Sequence, residues 1–125
     1  MASGRLKLAQ VHPQVKANAE WALYWADHFG VPVTVTSGFR SWEDQNRLYR
    51  NYLQCRASGN FGVTADCMFP ANPPGQSSHE YGLSWDSTVP PQFQSWWDEV
   101  RRLAGFEVLQ NDRIHAQVPN WRQYT

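Results

Sequence analysis

The chain lacks most of what would commit it to a membrane or a nucleic acid. No apolar run approaches the roughly 18 residues of a membrane span. Neither sign of charge is in excess, since eleven Lys and Arg offset eleven Asp and Glu. The basic pairs, Arg5 with Lys7 and Arg101 with Arg102, are too small for a phosphate-backbone footprint. Nucleic-acid binding and membrane insertion are therefore not expected. Cysteine is scarce: there are only Cys55 and Cys67, without the C-x2-C spacing of a zinc site built on thiolates. The first residues, Met1 to Lys7, lack the apolar middle of a secretory signal, so synthesis in the cytoplasm without general export is expected. That compartment favours reduced thiols. The alternative is a disulfide closing the intervening loop, worth about 2–3 kcal/mol. Two familiar catalytic signatures are also missing, a P-loop and a G-x-S-x-G elbow. His79-Glu80 begins like H-E-x-x-H, but the fifth position is Leu83, which excludes the helical zinc-protease motif.

What is present suits one domain spanning 1–125, with residues 1–11 as an N-terminal arm. Seven tryptophans are many for this length. Some must be core, and others can line a groove, where a rigid ring gives contact area at little entropic cost. Pro13 and Gly30 bracket a helix over 13–29, with Val15, Ala19, Ala22, Leu23, Ala26 and Phe29 on one face. His12 and His28 then read as polar residues at the helix ends. The β-branched run 33–36 predicts a strand, and Ser41 with Asp44 caps a second helix over 42–54. The stretch 55–78, broken by Pro70, Pro73, Pro74, Gly59, Gly62 and Gly75, reads as a long loop of the kind that often serves function. Beyond it come a strand over 83–88, a helical stripe over 93–104, and strands over 106–110 and 113–118, with Asn111-Asp112 as a hairpin turn. Four short strands and three helices in this order predict an α+β domain with a mainly antiparallel sheet.

The chemistry concentrates at His79, Asp86, Asp112 and His115. Two histidines and one aspartate form a three-ligand set for a catalytic zinc ion with one position open. Strand alternation supports the grouping. Ile114, Ala116 and Val118 form an apolar face, which puts His115 on the opposite, polar one; Ser84, Asp86 and Thr88 likewise share a small, polar face. Gly82 allows the backbone to turn so that His79 returns over Asp86. Asp112, at the hairpin turn, remains as a movable proton carrier. A serine held by one of the histidines is an alternative that spacing alone leaves open.

Ser77-x-His79-x-x-Gly82-x-Ser84-x-Asp86 resembles the S-x-H-x-x-G-x-A-x-D motif of the VanY-like D-alanyl-D-alanine carboxypeptidases, zinc metallopeptidases that share a fold with the hedgehog signalling domain. Ser37-Gly38-Phe39-Arg40-Ser41, with Gln45 after it, is similar to a second family segment, and Asp112-x-x-His115 to the closing element. The resemblance runs over about 12–118. It implies one zinc ion held by His79, Asp86 and His115, with Asp112 as general base. Arg40 would stabilise charge on the scissile carbonyl oxygen or hold a substrate carboxylate, with a structural salt bridge as the alternative, and Ser77 and Gln45 would support substrate or ligands. The short Asp-x-x-His form, with Ile114 where many members have Trp, is similar to the L-alanyl-D-glutamate endopeptidases of phage endolysins.

A peptidase cutting peptidoglycan stem peptides is therefore expected. It would be monomeric and without a separate wall-binding domain, made in the host cytoplasm, and would act at the wall after membrane permeabilisation or from a virion. A D-alanyl-D-alanine carboxypeptidase is the neighbouring expectation, and a zinc-binding structural or virion module without catalysis the distant one. The 55–78 loop, with Trp42 and Trp85, is expected to shape the groove.

Overall fold

The computed structural model describes residues 1–125 as a four-stranded antiparallel sheet with three α-helices. Helix α1 (Pro13–His28) starts where the His12 ring accepts a hydrogen bond from the Gln14 amide, and Pro13 occupies its first turn. His12 is thus a cap. Its buried stripe is Val15, Ala19, Ala22, Leu23 and Ala26; Phe29 lies just past the helix end and is exposed. Strand β1 (Thr34–Ser37) is followed by α2 (Trp42–Ala57), whose Ser41 cap accepts from the Asp44 amide at 3.1 Å. Strand β2 (Ser84–Thr88), helix α3 (Gln94–Leu103) and strands β3 (Glu107–Leu109) and β4 (Asp112–Gln117) complete the domain. No helix is long and apolar enough to cross a membrane.

The sheet order is β1-β2-β4-β3, so β2 and β4 are the interior strands. One face carries Val35, Trp85, Val108 and Ala116 into a core shared with α1 and α3. Trp85 is fully buried, edge-on to Trp97 and Phe106, and Trp97 donates to the Ser87 hydroxyl at 2.9 Å. The other face is left polar. Trp85 therefore belongs to the core and not to a groove, as follows from its standing opposite Asp86 on the strand.

Three details add to or depart from the sequence expectations. The N-terminal arm, residues 1–11, is packed against the domain. Ser3 bridges to Thr34 at the edge of β1, Arg5 pairs with Asp27 of α1, and Leu8 and Val11 are buried in the core. The segment has too few apolar residues to show a period, yet two of them suffice to anchor a single turn. Second, the hairpin turn is Gln110-Asn111, and Asp112 is already the first residue of β4, paired with Leu109. A register shift between Val108 and Leu109 moves the turn back by one residue. Third, Cys55 and Cys67 form a disulfide, contrary to the favoured reduced pair. Helix α2 runs past its expected end and brings Cys55 to the short turn Ala65–Cys67, within the stretch expected as one long loop.

Candidate metal centre

The site is built on the register of β2 and β4. Asp86 and His115 are direct partners across these strands, and Asp86 also faces Ser37 of β1. Side chains directly opposed in an antiparallel pair lie about 4.5–5.5 Å apart at Cβ, so this register alone brings two ligands together. His115 Nδ1 lies 3.0 Å from Asp86 Oδ1.

His79 arrives on a single 3-10 turn, Ser78–Tyr81, placed before β2. A capping box forms this turn: the Ser77 hydroxyl accepts from the His79 amide, and the Glu80 carboxylate accepts from the Ser77 and Gly75 amides. Gly82 ends it at φ 69°, a left-handed conformation. A Cβ there would also lie 2.9 Å from the His12 amide nitrogen, so the chain crossing beneath it excludes larger residues. The turn sets His79 Nε2 3.3 Å from Asp86 Oδ1, and the two imidazole centroids 5.0 Å apart. Candidate ligand atoms of His79, Asp86 and His115 all lie within 4.8 Å of one another.

Hydrogen bonds behind the ligands settle which nitrogens are available. His79 Nδ1 is 2.8 Å from the Gly38 carbonyl, which can only accept, so Nδ1 carries a proton there and Nε2, which faces Asp86, is the atom left to a metal. Gln117 Nε2 donates to Glu107 at 2.6 Å, which turns Gln117 Oε1 toward His115 Nε2 at 2.9 Å. His115 Nε2 therefore donates, and Nδ1 is the atom offered to a metal. Each histidine is thus oriented by a carbonyl oxygen on its far side, the usual support for metal-binding imidazoles. Two ring nitrogens that can give up a proton and a carboxylate, converging from three elements, fit zinc, which takes N and O donors tetrahedrally and, in catalytic sites, leaves one position open.

The charges agree with this. Burial pushes Asp86 up, but its hydrogen bonds to His115 and His79 outweigh burial and hold it well below the usual carboxylate range. Burial lowers His115, but the hydrogen bond and charge of Asp86 prevail and raise it. Asp112 is raised by partial desolvation, with the nearby Asp86 adding to the shift and the two histidines opposing it. No side-chain hydrogen bond fixes Asp112, and it is exposed at the rim where β4 begins.

Arg40 approaches from the β1 side. Its guanidinium donates to Gln45 Oε1 at 2.9 Å and Ser37 Oγ at 3.0 Å, and lies 4.0 Å from Asp86 Oδ2. Gln45 is almost fully buried, and its own amide donates to the Asn72 carbonyl at 2.7 Å. Gln45 thus positions Arg40, and Ser77 shapes the turn that presents His79. The supporting residues Gly38, Gln117, Glu107 and Ser78 were not singled out from sequence. Gln117 had a signal, since it stands two residues after His115 on the same strand face. The Gly38 carbonyl, a backbone atom distant in sequence, had none. The Ser78 hydroxyl donates to that of Ser84 at 2.8 Å, and Ser84 is fully buried, so the Ser at this motif position is accommodated by a hydrogen bond.

The sequence profile of VanY, described as D-alanyl-D-alanine carboxypeptidase, matches residues 8–115. The chain belongs to the VanY family. Among VanY-like proteins, the peptidoglycan L-alanyl-D-glutamate endopeptidase CwlK of Bacillus subtilis (strain 168) is 37% identical over 78 residues. That match covers 62% of this chain and 41% of CwlK, so it spans about two fifths of the relative's length. Solved structures share the fold, two of them as follows. A mutant of the vancomycin-resistance D,D-pentapeptidase VanY in complex with Zn(II) has a TM-score of 0.65 at 21% identity, covering 86% of this chain and 72% of that one. The L-Ala D-Glu endopeptidase ChiX of Serratia marcescens has a TM-score of 0.62 at 20% identity, covering 99% and 93%.

Proposed function

We propose that this protein is a zinc-dependent peptidase that hydrolyses stem peptides of bacterial peptidoglycan, cutting between L-alanine and D-glutamate. The observation that carries the reading is the full constellation: three ligands, an exposed carboxylate at the rim, and a fixed guanidinium beside the ligand carboxylate. Similarity to CwlK supports the choice of bond.

Zinc held by His79 Nε2, Asp86 and His115 Nδ1 supplies Lewis acidity toward water and a peptide carbonyl. Asp112, without a side-chain hydrogen bond and raised above the ordinary carboxylate value by partial desolvation, takes the proton of the attacking water and passes it to the leaving amine. Arg40, held by Gln45 and Ser37, offers its positive charge to the oxygen that becomes negative as the carbonyl is attacked. Asp86 keeps its charge throughout and holds the ligand geometry. The two aspartates thus have different work because one is buried between histidines and the other is free at an edge.

The profile match favours a second reading, hydrolysis of the terminal D-alanyl-D-alanine bond. Both reactions use the same machinery and differ in where the substrate sits. The Asp112-x-x-His115 spacing supports a phage-type lysin, made in the host cytoplasm and acting at the wall after the membrane is breached or from a virion. The test is digestion of purified peptidoglycan with wild type and Asp112→Ala. New amino groups released by the first and lost with the second, at unchanged zinc content, are the expected result. Zinc bound by wild type without release of amino groups would leave a structural zinc module instead.

A further inference from the structure

Beside the metal centre runs an open cleft of about 550 Å³. Its walls are the N-terminal segment, through Leu6 and Lys7, and the first turns of α2, through Asp44 and Arg47; its inner end is Ser37, Gly38 and Arg40. The inner end belongs to both places. The Gly38 carbonyl holds His79, and Arg40 stands between the cleft and Asp86. The N-terminal segment can form the wall because Gly38 has no side chain: a Cβ there would lie 1.9 Å from the Lys7 carbonyl oxygen.

The charge of this cleft departs from that of the molecule. The chain is neutral, yet the cleft is lined by three cations, Lys7, Arg40 and Arg47, against one carboxylate, Asp44. Asp44 is engaged by Arg47 at 3.0 Å, while Lys7 has no ion-pair partner and is exposed. Half-open apolar surface from Phe39 and Leu48 lies alongside. A cleft that is cationic, partly apolar and bordered by Arg40, whose guanidinium reaches Asp86, matches a short peptide carrying a carboxylate close to its scissile bond.

We propose that this cleft binds a free carboxylate of the stem peptide next to the scissile bond, with Lys7 as a specificity-determining residue and Arg47 in support. The inference rests on the peptidase reading and adds the substrate group recognised. A γ-linked D-glutamate retains an α-carboxylate, and the stem peptide also ends in one, so the chemistry has two possible sources. Neutralising that carboxylate as an amide removes the attraction to Lys7 and leaves the size of the ligand nearly unchanged.

The test is binding measured by NMR titration of the zinc-loaded Asp112→Ala protein, with and without Lys7→Glu and Arg47→Glu. The ligands are synthetic stem peptides with the D-glutamate α-carboxylate free or amidated, and with the C-terminus free or amidated. The expected result is tighter binding of the peptide with a free D-glutamate carboxylate, and a fall of about tenfold in that preference with the two charge reversals. A preference that follows the C-terminal carboxylate and falls in the same variants keeps the cleft and assigns it the other group. Equal binding of acid and amide forms, or a preference that survives both reversals, overturns the proposal. Hydrolysis by the wild type is measured separately, so a peptide that is bound selectively and never cut counts against the peptidase reading and not against the cleft.

Discussion

His115 is where a proton and a metal ion compete. The atom it offers a metal, Nδ1, is the one that faces Asp86, and Asp86 raises its proton affinity above the ordinary 6.5. A raised histidine contributes stability to the metal-free protein below its unfolded value and loses that contribution as pH rises through the folded one. Zinc requires the deprotonated ring, so its contribution runs the other way. The thermal stabilisation by added zinc should therefore grow as pH rises from 5 to 8, weakening on the acid side already above 6.5. Melting curves with and without zinc across that range check this, and a zinc increment independent of pH would contradict the assignment of Nδ1 as ligand. Arg40 gives a second expectation at this scale. Arg40→Ala should cost roughly 100- to 1,000-fold in kcat, the usual loss for a donor to a developing oxyanion. Gln45→Met, which touches no substrate, should cost about tenfold in kcat by loosening Arg40, with zinc content unchanged by metal analysis. An equal loss of zinc in either variant would make these residues structural.

The elements that carry the site are braced from behind by buried charge. Asp98 and Arg101 of α3 are fully or nearly fully buried, with Arg101 donating to Asp98 at 2.6 Å and to the Arg113 carbonyl at 2.8 Å at the start of β4. Arg113 returns to Asp98 at 2.7 Å. Burial lowers Arg101 to about 10, and Asp98 resists that shift, so it stays charged at neutral pH. Removing one partner of a buried pair leaves the other uncompensated, so Asp98→Ala should cost about 3–5 kcal/mol in denaturant unfolding. Because the clamp grips the carbonyls between Asp112 and His115, weakened zinc affinity should accompany that loss. Helix α2 is fastened differently. It buries only Gln45 and Cys55, and the Cys55–Cys67 disulfide ties its end to the following turn. Reducing that bond should lower stability by about 2–3 kcal/mol, read as a lower melting temperature in dithiothreitol with zinc still bound.

The α+β architecture was legible in the sequence because each strand beyond the loop keeps a strict alternation around Trp85 or Ala116. The same alternation set Asp86 and His115 on the polar face. The buried clamp was not legible: Asp98 and Arg101 are three apart on a helix, a spacing common on exposed faces, and only the packing encloses them.

Across the whole molecule, the two faces of one sheet divide the labour. The face bearing Trp85, Val35 and Ala116 holds the core against α1 and α3, and the opposite face gathers Asp86, His115 and, from the preceding turn, His79. The N-terminal segment joins the two functions, since it buries Leu8 and Val11 and at the same time walls the cleft with Lys7. None of this follows from its own composition. It depends on Gly38 and Gly82, where absent side chains let residues 7 and 12 approach the backbone closely. The central claim is that this constellation cuts a stem peptide at one bond. Mass spectrometry of muropeptides after digestion by the zinc-loaded protein tests it most directly. The account predicts products separated between L-alanine and D-glutamate, while intact muropeptides recovered in full from protein carrying its zinc would contradict it.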